Sequence, residues 1–206
     1  MCDVYMDEVK AWDEIACEWN KYRVRIPPTV KKFLEGKRGK ILDVGCGTGR
    51  NFMKVDGLEW TGTDISDKML EFAGKAAKKK KVGVELIKAP ASKLPFGDES
   101  FDFVLSYAVL HCVNSEEKRV KSVEEIYRVL KKGGKALISS WGRKSPRLKN
   151  KDKECSIAWG VRDSEKKIMR YTYVYDLDEL VELCKKVGFK IVSSWEERNV
   201  NIIVKK

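Results

Sequence analysis

No C-x-x-C pair occurs in the 206 residues, although six cysteines are present: Cys2, Cys17, Cys46, Cys112, Cys155 and Cys184. Their wide separation speaks against both a zinc knuckle and a small disulfide scaffold, and free thiols in a reducing compartment are expected. No apolar run approaches the roughly 20 residues that span a bilayer, and the opening MCDVYMDEVK lacks an apolar signal core. A soluble, cytoplasmic protein without a membrane partner is therefore expected. No Pro, Gly or Ser-rich linker divides the chain, so a single domain over residues 1–206 is expected around one core. Histidine occurs once, at His111. Acidic residues are outnumbered, 31 against 42 Lys plus Arg, for a net charge of +11. That excess attracts polyanions such as RNA or DNA. The 35% of charged residues also fits a surface adapted to heat, but an anionic partner accounts better for the positive sign.

What is there alternates between strand and helix. DEVKAWDEIACEWNKY spaces Val9, Trp12, Ile15, Ala16 and Trp19 on one helical face, and the prolines at 27 and 28 start a second helix through Val30, Phe33 and Leu34. These make a helical segment, residues 1–38, ahead of the first strand, KILDV. A helix is expected from Arg50. WTGTDI (60–65) reads as the second strand, with Asp67 capping the helix after it and the run KAAKKKK as that helix's solvated end. VELIKA (84–89) is the third strand. The continuous apolar run FDFVLSYAVL (101–110) fits a strand buried on both faces. EEKRVKSVEEIYRVL follows as a helix, with KKGG as its glycine stop, and KALISSW (135–141) is the fifth strand. Residues 142–170 read as a basic, irregular insertion. Helical spacing resumes in DLDELVELCKKVGF, and two closing strands, KIVSSWEE and NVNIIVKK, are joined too tightly to be parallel. The pattern predicts an α/β three-layer sandwich: a mostly parallel sheet wound on both faces and ending in a hairpin.

In such sheets ligands bind at the carboxyl ends of the strands, and the turn after strand one is the usual cradle. Here that turn is DVGCGTGR, with glycines at Gly45, Gly47 and Gly49. The dinucleotide fingerprint G-x-G-x-x-G would put its third glycine at position 50, which is Arg50, so a pyrophosphate is a poor guest. Asp43 would repel phosphate and accept from an ammonium group, while Asp64, about twenty residues on, is placed to take both hydroxyls of a ribose. A ligand with an amino-acid end and a ribose but no phosphates fits, and S-adenosylmethionine is such a ligand.

Four motifs in order, DVGCGTG (43–49), GTDIS with its strand-two acid, LPFGDESFD (94–102) and YRVLKKGGKALIS (127–139), resemble the class I S-adenosylmethionine-dependent methyltransferases over almost the whole chain. The resemblance implies a Rossmann-like sheet of seven strands with a reversed last strand. It also implies S-adenosyl-L-methionine as cofactor: Gly45, Gly47 and Gly49 beside its methionine part, Asp43 on its amino group directly or through water, Asp64 on the ribose, Ile65 on adenine. Cys46 belongs to the same loop with no chemistry of its own, and Ser106 counts among the cofactor residues. Many members carry an acid where this chain has Pro90, so adenine recognition passes to the backbone around Ala91 or to Ser92.

A narrower similarity links AWDEIACEWNKYRVRIP, VLHCVNSEEKRVKSVEEIYRVL and MRYTYVYDLDELVELCKKVGFKIV to the tRNA wobble-uridine methyltransferases. Those enzymes esterify a 5-carboxymethyl group on the first anticodon uridine and typically work with a small zinc-binding activator protein. The similarity implies tRNA as partner, with that activator beside it. It places Arg23, His111, Tyr173 and Asn199 on acceptor-site positions, although Tyr173 and Val200 stand where the family usually has histidine and tryptophan. Arg23 would orient the acceptor carboxylate, and His111 would contact substrate or serve as a buried wall. In the basic segment, Trp141, Arg143, Lys144, Arg147, Trp159 and Arg170 offer phosphate contacts and base stacking. No metal ligand set is expected. Two alternatives remain: a small-molecule methyltransferase acting on a quinone precursor or metabolite, and a noncatalytic RNA-binding or scaffold subunit on the same fold.

Overall fold

Neighbouring residues of the apolar runs go to opposite faces of one sheet, and both faces are covered. The computed structural model describes residues 8–160 and 167–206; Cys2 and residues 161–166 of the basic segment lie outside them. On β1 (Gly39–Val44), Ile41 packs on one side with Leu105 and Leu137, while Leu42 and Val44 pack on the other with Val104, Ala136 and Ile138. This period of two explains why β1, β4 (Phe101–Tyr107) and β5 (Leu130–Trp141) read as unbroken apolar runs. The first face is closed by α2 (Pro28–Leu34) and α3 (Asp67–Lys80), the second by α4 (Glu116–Val129) and α5 (Leu177–Val187).

The seven-stranded sheet runs β3-β2-β1-β4-β5-β9-β8, with β2 as Leu58–Asp64, β3 as Val84–Lys88, β8 as Lys190–Glu196 and β9 as Asn199–Lys205. The pairs among β1 to β5 are parallel, and β9 is antiparallel to both of its neighbours. This reversed strand agrees with the short β8–β9 link. Because β9 runs backwards, its first residue, Asn199, pairs with Trp141 at the carboxyl end of β5.

Several local expectations are corrected. No helix follows Arg50: three glycines at positive φ (45, 47 and 49) tie residues 45–52 into turns, and only a few residues remain before β2 begins at Leu58. Ser66, not Asp67, caps α3, accepting from the Met69 amide at 3.0 Å. Strand β4 stops at Tyr107, since Ala108 turns at φ 65° into a 3-10 turn, Leu110–Cys112. Helix α4 has no glycine stop. Its cap is Leu130, already extended as the first residue of β5, and Gly133 and Gly134 lie where the β4–β5 register shifts.

The segment 142–170 is not irregular throughout. Glu154–Gly160 (β6) and Lys167–Tyr173 (β7) pair antiparallel as a separate two-stranded sheet. Ile168 of β7 packs with Ala11, Ile15 and Ala16 of α1 (Glu8–Tyr22) and with Met69 of α3. Trp12, Trp19 and Trp159 join this cluster, so α1 and the β6–β7 pair form a tryptophan-rich cap on α3 beside the carboxyl ends of the strands.

Candidate active site

A cleft of about 260 Å³ opens where β1, β2 and β4 end. The glycine loop forms its floor. Gly47 sits at φ 54°, and a Cβ there would have only Trp19 Nε1 nearby, at 3.8 Å, so the missing side chain leaves room on the cleft side. Gly49 serves a different purpose: a Cβ there would stand 2.9 Å from the Phe52 ring and 3.0 Å from the Ala73 backbone, so the loop could not lie against α3. Lys80 holds the loop from behind, its Nζ donating to the carbonyls of Gly49 and Arg50 at 2.9 and 2.8 Å. The KAAKKKK run is therefore not wholly a solvated helix end.

Two buried acids organise the loop. Asp64 lines the cleft and accepts from the Gly47 amide at 2.9 Å through Oδ2 and from the Ser66 amide at 3.0 Å through Oδ1. Burial pushes its carboxyl up to about 6 against these donors. Asp43 is fully buried and lies behind the cleft wall; Asn51 Nδ2 donates to its two oxygens at 3.3 and 3.1 Å. Burial raises Asp43 to about 7, opposed chiefly by that amide. Asn51 itself lines the cleft, and its Oδ1 is buried without a partner among the described residues. It stands between Asp43 and any ligand, which sequence reasoning missed because asparagine after a glycine loop carries no signal of its own.

Of the other expected cofactor residues, Cys46, Ile65, Ala91 and Ser92 line the cleft, as does Gly45. Ser106 does not: it is wholly buried, with its hydroxyl unpaired among the described residues. Tyr107, one residue on and not foreseen, lines the cleft with the Arg50 guanidinium 5.3 Å over its ring. Burial raises its phenol, with Arg50 and a hydrogen bond with Ser139 opposing. Asn199 donates to that same Ser139 Oγ at 3.0 Å, so its reach to the cleft is indirect.

The expected acceptor residues divide. Arg23 stacks on Trp19 at 4.8 Å, half-buried. His111 is buried and stacks on Trp141 at 4.5 Å and 14°; burial, then Arg170 and Arg23, hold its imidazole far below its usual range, so it is neutral at pH 7. Tyr173 is not in this neighbourhood. It packs at the edge of the main core with its hydroxyl on Glu179 and Arg119 over its ring. Arg143 and Lys144 are exposed and paired with Asp176 and Glu196. Arg170 is buried, not facing solvent, among Trp12, Trp19, Trp141 and Trp159.

Arg23, Arg50, Arg147 and Arg170 form the most unusual electrostatic feature. After burial, the nearness of the other three is what lowers the proton affinity of Arg23, and none of the four makes an ion pair among the described residues. Asp43 offsets Arg50 in part and Arg147 is exposed, but like charges kept this close with so little counter-charge mark a place for an anion. No group of three or more metal-ligating side chains occurs among the described residues, and no described helix is long and apolar enough to cross a membrane.

Comparison with known proteins adds to this geometry. Residues 42–138 match the methyltransferase domain family. A protein of Encephalitozoon cuniculi assigned to the methyltransferases, without a stated substrate, is 32% identical over 95% of this chain and 93% of its own length. The tRNA (carboxymethyluridine(34)-5-O)-methyltransferase of Saccharomyces cerevisiae is 34% identical over 134 residues, 64% of this chain but 47% of that protein, so the chain spans about half of that relative. Among solved structures, an S-adenosylmethionine-dependent methyltransferase from Methanosarcina mazei superposes with a TM-score of 0.66 at 25% identity, covering 88% of this chain and 98% of that one.

Proposed function

Since the chain belongs to the S-adenosylmethionine-dependent methyltransferases of the methyltransferase domain family, we propose that it methylates the carboxylate of 5-carboxymethyluridine at the wobble position of a cytoplasmic tRNA. The observation that carries this reading is the group of four arginines without ion-pair partners among the described residues, of which Arg50 lines the cleft, and which suits an anionic acceptor. The similarity to the S. cerevisiae enzyme supports the same acceptor.

The residues fit the cofactor. Gly47 leaves open space, Asn51 Oδ1 is an unsatisfied buried acceptor suited to an ammonium, and Asp64 keeps lone pairs for ribose hydroxyls beyond its two backbone donors. When bound, S-adenosylmethionine supplies a methyl group made electrophilic by its sulfonium. The chain's residues have to place an acceptor oxygen in line with that methyl and exclude water. A carboxylate acceptor would need no base from the chain, because it carries no proton to remove before its oxygen takes the methyl group. That suits a site whose single histidine is buried and neutral. Trp12 and Trp19 wall the cleft and keep it apolar above the glycine loop.

The test is transfer of labelled methyl to tRNA bearing 5-carboxymethyluridine, with and without a zinc-binding activator protein, and with unmodified tRNA as control. Label that depends on the carboxymethyl group and leaves as methanol in mild base is the expected result. Cofactor binding without such label would move the acceptor to a small carboxylic acid, a reading favoured by the enclosing tryptophan cap. The intact loop and acid pair give no support to a noncatalytic scaffold.

The acids also predict a pH dependence. Asp43 is raised in the folded protein, so the native state holds its proton over about pH 4–7 where the unfolded chain has lost it, and this group's contribution to stability falls as pH rises through that window. Binding of a cationic ligand runs the other way, since it needs the carboxylate. Cofactor affinity measured by calorimetry is expected to rise about tenfold from pH 6 to pH 8, and Asp43→Asn should flatten the profile. An identical slope in the variant would remove Asp43 from the linkage.

A further inference from the structure

Arg170 carries buried hydrogen-bonding capacity that nothing among the described residues uses. It is 4% exposed, and both Nε and Nη2 lack a partner. These two nitrogens form one edge of the guanidinium, the edge whose parallel N–H bonds match the two oxygens of a carboxylate. The surroundings are equally unsatisfied: Trp159 Nε1 and His111 Nδ1 are buried without partners among the described residues. Trp159 lies 5.4 Å from the Arg170 guanidinium, and Trp141, on which His111 stacks, lies 5.8 Å from it. Native folds rarely leave several such groups unpaired in one place unless a ligand completes them.

Four indole rings meanwhile hold the cation. Trp12, Trp19, Trp141 and Trp159 sit 5.0 to 5.8 Å from its centre. Ring faces stabilise a guanidinium without consuming its edge donors. Trp12 and Trp19 also wall the donor cleft, and a small chamber of about 20 Å³, bounded by Arg170, Trp12, Cys112 and Glu8, the last accepting from the Asn114 amide at 3.0 Å, lies against the same wall. A chamber of that size holds about one water-sized group, so a carboxylate is seated only if its wall, Trp12 included, moves aside.

We infer that Arg170 is the receptor for the acceptor's carboxylate, gripping both oxygens through its Nε–Nη2 edge within the tryptophan box. Arg23, to which the sequence assigned this role, then serves as a half-buried neighbour stacked on Trp19. The fork takes one lone pair on each oxygen and leaves another on each for the methyl carbon. This inference rests on the proposed carboxylate acceptor, but it concerns binding and is tested without turnover.

Four of the six tryptophans flank Arg170, so intrinsic fluorescence reports on the box. The wild-type protein with S-adenosylhomocysteine is titrated with 5-carboxymethyluridine, its neutral carbamoylmethyl analogue, and uridine. A saturable change is expected for the carboxylate only, with the amide weaker by on the order of 100-fold. Arg170→Lys keeps the charge but not the fork and should lose the response while retaining wild-type affinity for S-adenosylhomocysteine; Arg170→Met should do the same. Equal binding of amide and carboxylate, no response in the wild type, or a preserved response in Arg170→Lys would each overturn the assignment. A carboxylate-specific response in a protein that fails to label tRNA would leave the clamp standing and remove the tRNA substrate. If the variants lose S-adenosylhomocysteine binding through misfolding, the wild-type comparison of amide with carboxylate decides alone.

Discussion

Asp64→Ala is expected to raise the dissociation constant for S-adenosylmethionine by at least about 100-fold while moving the melting temperature of the ligand-free protein only a few degrees. The two halves of this expectation have separate causes. Removing the carboxylate strands the Gly47 and Ser66 amides, about 1–3 kcal/mol each when buried donors go unmet. Against this, the wild type keeps a charged group where burial raises its carboxyl from 3.8 to about 6, which costs about 3 kcal/mol at neutral pH by the proton linkage. The opposing contributions largely cancel in the free protein. They do not cancel in the complex, where the ribose hydroxyls lose their acceptor and the glycine loop loses its tie to the cap of α3. Calorimetric titration and thermal melts on the same preparation check both halves. Near-normal affinity would show that Asp64 supports the loop without touching ligand.

Gly49→Val should strongly destabilise the folded protein. The residue sits at φ 74°, where a β-branched side chain is strained, and its Cβ would meet the Phe52 ring at 2.9 Å and the Ala73 backbone at 3.0 Å. Strain of about 1–2 kcal/mol adds to about 1–3 kcal/mol of overpacking, a large share of the roughly 5–15 kcal/mol typical of a domain. Gly47→Ala separates fold from site. It also has positive φ, but its Cβ meets only Trp19 Nε1 at 3.8 Å, so it should fold, with a loss of about 1 kcal/mol, and bind cofactor poorly because the methyl enters the cleft. Circular dichroism melts and cofactor titration distinguish the two. A Gly49→Val protein that melts with the wild type would mean the loop does not pack on α3 as described.

The four motifs that carried the family resemblance do not all serve the site. DVGCGTG and GTDIS line the cleft. LPFGDESFD and YRVLKKGGKALIS instead meet at Arg128, which donates to Glu125, Asp98 and the carbonyls of Phe96 and Leu94, while Glu125 accepts from the Leu94 amide at 2.7 Å. That clamp fixes the loop before β4 to α4. A motif can thus be diagnostic of a fold because it packs, and its residues need touch no ligand.

The misread elements share a cause. Ser66 and Asp67 are both good caps by type, and only the direction of the chain out of β2 decides which side chain reaches the Met69 amide. The stop at Tyr107 depends on Ala108 turning, with its amide bonded to the Ser139 carbonyl of the neighbouring strand, a contact 31 residues away that no local window contains. The β6–β7 pair was hidden because its sequence alternates weakly and follows the charge-dense run 143–153; Ile168 and Trp159 pack against α1, from the other end of the chain.

The sequence by itself determined the five parallel strands, the reversed closing strand, the glycine loop and its two acids, because each rests on local properties: period, turn chemistry, and the length of a connection. Only the tertiary structure decided that Asn51 stands in front of Asp43, that Tyr173 belongs to the core, and that Arg170 is enclosed by four tryptophans. Those facts arise where segments distant in sequence converge, as α1, β5, β6 and β7 do around one guanidinium, and burial and unmet hydrogen bonds are properties of that convergence rather than of any residue type.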